Sequence, residues 1–176
     1  MATHQISLLG PNTSPDSSGN IWQDLFSRLA TNDVWPYGVF NFGGTIANNT
    51  APTTRIGLYG NCQIPNNLNV AGTVTIIPVW TASVITNDVV WDFDYRVVGG
   101  NDTTSLDQSG VEESDTVTDT APGAAWRRLT PSITPTTANF TPGATLQWGL
   151  FRDGTDAADT MAGTAVLVDL ILQYTD

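Results

Sequence analysis

Carboxylates recur at three-residue intervals at Asp153, Asp156 and Asp159, between two strongly apolar runs, and this is where a bound divalent cation would first be sought. A calcium loop needs about six converging oxygens, with Asp or Asn at alternate positions, a glycine at the sixth and a closing bidentate glutamate. The segment from Arg152 to Thr160 lacks that spacing. Asp and Gly also close hairpins through Asx-turns, so the expectation is a two-strand connection with exposed carboxylates and no metal. Both glutamates, Glu112 and Glu113, fall in a second acidic stretch from Asp107 to Asp119. Glycoside hydrolysis would require two carboxylates held across a cleft, but with seventeen acidic residues in the chain some pair always looks suitable. A solvated strand and loop is the plainer reading.

Nucleophilic catalysis needs a nucleophile beside a positioned base. The one histidine is His4, close to the start of the chain, and the one cysteine, Cys62 in Gly60-Asn61-Cys62-Gln63, has no basic neighbour to lower its pKa. Cys62 therefore reads as a small buried hydrophobe. No glycine loop of phosphate-cradling type is present. These absences argue against an enzyme, and they leave no cofactor implied. The six tryptophans carry more. Period-two patterning puts Trp91 and Trp148 on buried strand faces, whereas Trp22, Trp35, Trp80 and Trp126 lie near element ends where a ring can be exposed. An exposed ring stacks on a sugar or anchors a protein interface, where Trp and Arg are enriched. Trp126-Arg127-Arg128 reads as such an anchor, or as a strand start whose arginines offset neighbouring carboxylates.

All six basic residues are arginines, set against seventeen acidic residues for a net charge of -11. Nucleic-acid binding works by neutralising phosphates with cations, so this body would repel nucleic acid. No stretch approaches the roughly 20 apolar residues that span a bilayer, and the start MATHQISLLG lacks a basic n-region and a long apolar core. A membrane partner and secretory targeting are therefore not expected. A length of 176 residues suits one domain. The tripeptides beginning at Asn12, Asn48, Asn101 and Asn139 fit the glycosylation pattern, as chance matches do in a chain rich in Asn, Thr and Ser.

The elements that must position these residues are almost all strands. From Asp88 to Val98, Val89, Trp91, Phe93, Tyr95 and Val97 alternate with Asp92, Asp94 and Arg96, which predicts a strand with one buried face. Similar runs span Val34 to Phe42, Arg55 to Leu58, Val70 to Trp80, Glu113 to Thr120, Arg127 to Thr134, Ala144 to Arg152 and Ala165 to Thr175. About eight strands bounded by turn residues predict an all-β fold, an antiparallel jelly-roll or β-sandwich. Trp22, Leu25, Phe26 and Leu29 follow an i, i+3, i+4, i+7 spacing that predicts one short helix over Asn20 to Leu29. Pro78 removes a ladder donor and places its strand at an edge or at a bulge.

In the last strand, Val166, Val168, Leu170, Leu172 and Tyr174 share one face, while Leu167 and Ile171 stand on the other with Asp169 and Gln173. That mixed face meets a neighbouring subunit or lies beneath a loop of the same chain; both readings stand. Residues 1–20 read as an extended arm ahead of a single jelly-roll domain over 21–176. The arm's Ile6, Leu8 and Leu9 dock on a partner or add an edge strand to the same sandwich.

Trp91-Asp92-Phe93-Asp94-Tyr95-Arg96, the turn Gly99-Gly100-Asn101-Asp102, the loop Thr118-Asp119-Thr120-Ala121-Pro122-Gly123 and the hairpin from Leu150 to Thr160 together resemble small virion structural proteins of tailed bacteriophages, including cyanophage and marine types. The resemblance covers residues 88–176 and lies in strand and turn patterns. It implies an antiparallel jelly-roll that forms a homotrimer and sits on the outer capsid surface as a decoration (cement) protein bound to the major capsid protein. The partner contacts expected on that reading are Ile6, Leu8, Leu9, Trp126, Arg127, Arg128, Leu167 and Ile171. The alternative is a carbohydrate-binding or receptor-binding β-sandwich module of a tail or head fibre.

Overall fold

A computed structural model describes residues 1–17, 21–25, 38–43, 51–99 and 110–176. Among these the regular elements are ten strands and a single 3-10 turn at Thr137–Asn139, with no α-helix. One sheet holds β1 (Thr3–Ser7), β3 (Ile21–Leu25), β4 (Gly38–Phe42), β6 (Val74–Thr81) and β10 (Ala165–Thr175). The other runs in the order β2 (Ser14–Pro15), β5 (Arg55–Gln63), β9 (Thr145–Asp153), β7 (Asp88–Val98) and β8 (Glu113–Thr120). Every pairing is antiparallel. The two sheets form the expected jelly-roll sandwich.

Alternation explains why the sheets face each other as they do. Val89, Trp91, Phe93 and Tyr95 of β7 point inward and are buried, as are Ile56 and Leu58 of β5 and Leu146 and Leu150 of β9. They meet Val74, Ile76 and Trp80 of β6 and Leu170 and Leu172 of β10 in one core. At its centre the Trp91 ring receives Phe42 edge-on at 5.1 Å and Trp80 at 5.8 Å, the arrangement favoured by aromatic quadrupoles.

β10 is the hub of the first sheet. β6 runs along one edge, while the other is shared between β1, opposite residues 171–175, and β4, opposite residues 165–167. Strict alternation fails in this strand, because the pairing with β6 shifts register between Leu167 and Asp169. Such a bulge adds one residue and reverses which side chains face inward. Ala165 and Leu167 therefore join Leu170, Leu172 and Tyr174 in the core, and Leu167 is not the outward contact residue expected from its spacing.

Pro78 stands in β6 at the sheet edge, as its missing donor requires. Ile76 and Trp80 exchange backbone hydrogen bonds with Ile133 and Leu129 on the side away from β10. Pro78 shares their parity, so its absent N–H costs no bond to β10. The run Arg127 to Thr134, expected as a strand, is reduced to those two isolated bridges, and Pro131 between them cannot donate to a continuous ladder.

Over the described residues 21–25, the short helix expected from Asn20 to Leu29 is not formed. Ile21–Leu25 is a strand laid along β4, with Ile21 opposite Phe42 and Leu25 opposite Gly38. A ten-residue helix is marginal alone, and the open edge of β4 offers backbone partners that two helical turns lack. Asn20 and residues 26–29 of that helix, residues 34–37 of the expected strand, Trp35, Asn48, the turn residues Gly100, Asn101 and Asp102, and residues 107–109 of the second acidic stretch lie outside the described residues.

The first residues are woven into the sandwich. β1 pairs with β10 from Thr3 opposite Thr175 to Ser7 opposite Ile171, and β2 pairs with β5 in the other sheet. Leu8 is 4% exposed, and its N–H donates to the Leu170 carbonyl at 2.7 Å. Truncating a buried leucine loses transfer free energy and leaves a cavity. Leu8→Ala is expected to lower stability by about 2–5 kcal/mol, read as a shift in the urea unfolding midpoint; an unchanged midpoint would mean that this segment is not part of the fold.

Candidate functional site

The sandwich hides one face of each sheet and turns the other outward, where Trp126 covers Val39 and Val166 of the first sheet. On the outer face of the second sheet, register brings together residues far apart in sequence. Gly57 of β5, Phe151 of β9 and Asp92 of β7 form one row across the strands; Tyr59, Gly149 and Asp94 form the next, and Asn61, Gln147 and Arg96 the third. Arg55 begins β5 beside the first row.

Glycines make room for a flat aromatic floor. A Cβ at Gly57 would stand 2.1 Å from Phe151 Cδ1, and one at Gly149 would stand 2.6 Å from Phe151 Cε2. Only bare backbone lets the Phe151 ring lie down over both positions. The Arg55 guanidinium carbon sits 3.6 Å above the centre of that ring, a cation–π contact. Arg55 Nε donates to Asp92 Oδ2 at 3.0 Å and Nη2 to Asp94 Oδ2 at 2.8 Å, while Ser114 Oγ donates to the other oxygen of Asp94 at 2.6 Å. Burial pushes the Asp92 carboxyl above its ordinary value, with the Arg55 hydrogen bond pulling the other way.

Tyr59 rises from this floor, its ring edge-on to Phe151 at 5.3 Å and 83°, and it remains 50% exposed. In the third row Arg96 Nε donates to Gln147 Oε1, and Asn12 Nδ2 lies 3.5 Å from Asn61 Oδ1. The whole forms an open groove of about 580 Å³, bounded by Asn12 and Ser14 in one part and by Gly110 and Val111 in another. Chemically it combines an exposed ring, a rigid aromatic and guanidinium floor, and a rim of amides and carboxylates. Asp92 and Asp94 converge on the same guanidinium, so they do not form the opposed pair that brackets a scissile glycosidic bond.

None of the eight residues expected to touch a partner lines this groove. Leu8 and Leu167 are in the core, and Ile6 and Leu9 pack half-buried against it. Ile171 is half-buried opposite Ile77 on the outer side of the first sheet. Trp126 packs against Val39 and Val166 with φ 66°, a left-handed conformation uncommon for so bulky a residue. Arg127 and Arg128 are exposed beside it. Trp91 and Trp148 are buried as their spacing requires, but Trp80 is fully buried too. The exposed ring that tryptophan positions suggested is a tyrosine, Tyr59. The available signal was a glycine two residues before an aromatic, Gly57/Tyr59 and Gly149/Phe151, in two strands.

The acidic segments serve the fold. Asp153 accepts from Thr155 N at 2.9 Å and Oγ1 at 2.6 Å, and Asp156 from Ala158 N at 2.8 Å, the Asx-turns of a hairpin connection. Asp159 is not exposed as expected: it forms a buried ion pair with Arg152. Among the described residues, no group of three His, Cys, Asp or Glu side chains could hold a metal ion.

Glu112 accepts from Val97 N at 3.1 Å. Glu113 is held below its usual pKa because hydrogen bonds from Thr136, Tyr95 and Asn139 outweigh the opposing desolvation. Asn139 Nδ2 donates to Tyr95 Oη at 3.0 Å, so its amide belongs to that network. Burial pushes the half-buried Cys62 thiol up to about 11, which keeps it protonated and unreactive at neutral pH.

No family model matches the chain, and no curated protein matches it. Among solved structures it is similar to a family 35 carbohydrate-binding module from Clostridium thermocellum, at 11% identity over 100% of both chains with a TM-score of 0.50. It is also similar to an arabinose-bound α-L-arabinofuranosidase, at 10% identity over 95% of this chain and 25% of that one, with a TM-score of 0.51. The chain thus spans about a quarter of that enzyme's length. At these identities the likeness is one of architecture, and the chain shares the jelly-roll β-sandwich fold of these proteins.

Proposed function

We propose that the protein is a non-catalytic carbohydrate-binding β-sandwich that receives a glycan in the groove over β5, β9 and β7. The observation that carries this reading is the half-exposed Tyr59 ring standing on the floor of Phe151 and Arg55. A pyranose presents apolar C–H faces and a rim of hydroxyls. The first pack on an aromatic ring, and the second exchange hydrogen bonds with amides and carboxylates such as Asn61, Gln147 and Asp94. Because the floor is fixed by glycine contacts and two ion pairs, little ordering is required on binding. The fold shared with a carbohydrate-binding module supports the same reading. Capsid decoration draws less support, because Leu8 and Leu167, two of the apolar residues that suggested it, are spent within the chain's own core.

Affinity electrophoresis against a panel of polysaccharides tests the proposal. Tyr59→Ala is expected to weaken retention at least about tenfold, the effect of losing about 1.4 kcal/mol, with the melting temperature unchanged because the ring is half in solvent. Tyr59→Phe should retain binding. Retention of the alanine variant equal to that of the parent would remove the groove from consideration.

A further inference from the structure

We infer that the groove selects neutral glycan chains and rejects chains bearing uronate or other carboxylate groups. This rests on the carbohydrate-binding reading and narrows it to one substrate class. Carboxylate recognition calls for a guanidinium fork that is free to close on two oxygens. The Nε/Nη2 fork of Arg55 is already closed, with Nε taken by Asp92, Nη2 by Asp94, and the face of the group by the Phe151 ring. Arg96 is likewise engaged, through Nε on Gln147.

Of the charged side chains, Arg55, Asp94 and Arg96 line the groove, and Asp92 and Asp153 adjoin them on the same outer face of the sheet, so across that face negative charges outnumber positive ones by three to two. Asp16, whose carboxylate accepts from Gly57 N at 2.6 Å, adds another at the β5 edge. The surrounding body carries a net charge of -11. An incoming uronate would meet the Asp94 carboxylate beside arginines already engaged by Asp92, Asp94 and Gln147. To grip the Nε/Nη2 fork of Arg55 it would have to strip that arginine from Asp92, whose side chain is only 12% exposed, leaving a poorly solvated carboxylate without its partner. A neutral chain meets no such repulsion, and its hydroxyls donate to oxygens that Arg55 leaves with spare lone pairs.

The test compares neutral polymers (β-1,4-galactan, mixed-linkage β-glucan, mannan, arabinan) with acidic ones (polygalacturonate, alginate, hyaluronate) by affinity electrophoresis and calorimetry, at low and at high salt. High salt screens the repulsion between an acidic polymer and the whole body but weakens close, partly buried contacts much less, so it isolates the groove's own preference. The expected result is retention by at least one neutral polymer, lost in Tyr59→Ala, and at least about tenfold weaker retention by every acidic polymer even at high salt. An acidic polymer held as tightly as a neutral one, through Tyr59, would overturn the selectivity while leaving carbohydrate binding intact. Failure of both classes to bind would overturn the carbohydrate-binding reading itself, and the selectivity with it.

Discussion

Asp159→Ala is expected to destabilise the fold by about 3–5 kcal/mol, the cost of breaking a buried ion pair from one side. Arg152 points inward from β9 with its side chain fully buried, and that of Asp159 is 1% exposed. Arg152 Nε donates to Asp159 Oδ2 at 2.8 Å and Nη2 to Oδ1 at 2.7 Å, a bidentate pair. The remaining donors are spent on carbonyls, Nη2 on Met161 and Nη1 on Gly163 and Phe42. Since Phe42 closes β4 and Arg152 belongs to β9, the guanidinium clasps the two sheets to each other and to the strand connection. Asp159 Oδ2 also accepts from Val90 N at 3.2 Å, so its loss orphans a backbone donor as well.

Total stabilities of about 5–15 kcal/mol make such a loss a large fraction of the whole. Replacing the pair together, as Arg152→Met with Asp159→Leu, removes both charges and should recover much of the deficit. Equilibrium denaturation of the two singles and the double closes the cycle. A single variant within 1 kcal/mol of the parent would show that the pair is not desolvated as its burial implies.

Trp80→Ala is expected to cost about 3–5 kcal/mol, through the cavity left by a large ring. Trp80 is fully buried and packs on Trp91, and its Nε1–H donates to Asp119 Oδ2 at 2.8 Å. The hydrogen bond adds a pH dependence that the cavity does not. Desolvation raises the Asp119 pKa above its ordinary value, and the indole bond opposes that rise. A carboxyl whose pKa is higher folded than unfolded binds more protons in the folded state, so stability falls as pH climbs from the unfolded value through the folded one. Without the indole the folded pKa rises further, and the window widens upward.

Trp80→Phe separates the two effects: it fills most of the space yet loses the donor. Its deficit should be smaller than that of the alanine variant and should grow as pH rises above the usual carboxylate range. Urea midpoints measured across that range check this, and a Phe variant with the parent's pH profile would show that the Asp119 bond carries no weight.

How much of the molecule is legible in its residues depends on how local the signal is. The inward and outward faces of β7 follow from Trp91, Phe93 and Tyr95 alternating with Asp92, Asp94 and Arg96, because strand geometry sends successive side chains to opposite faces whatever lies beside the strand. β8 and β9 are readable for the same reason, and so is Pro78 at an edge. Ile21–Leu25 is not, because a spacing shared by two helical turns says nothing about the free edge of β4 that claims it. Leu167 is misread from alternation alone, since the bulge that turns it inward is a property of the pairing between β10 and β6 and not of β10.

The groove lies furthest from local reading. Gly57 and Tyr59 are separated by some ninety residues of chain from Gly149 and Phe151, yet their cross-strand register puts each glycine beside the other strand's aromatic. Composition and alternation by themselves determined that the chain is an acidic all-β sandwich with the faces of its strongest strands assigned. Which strand stands beside which, and therefore that Arg55 should lie over Phe151 between Asp92 and Asp94, was decided only by tertiary pairing. Period-two patterning sets the side of a sheet on which a residue stands but not its neighbour across it; neighbours are chosen by non-local hydrogen-bond register and core packing, which act on the whole chain at once.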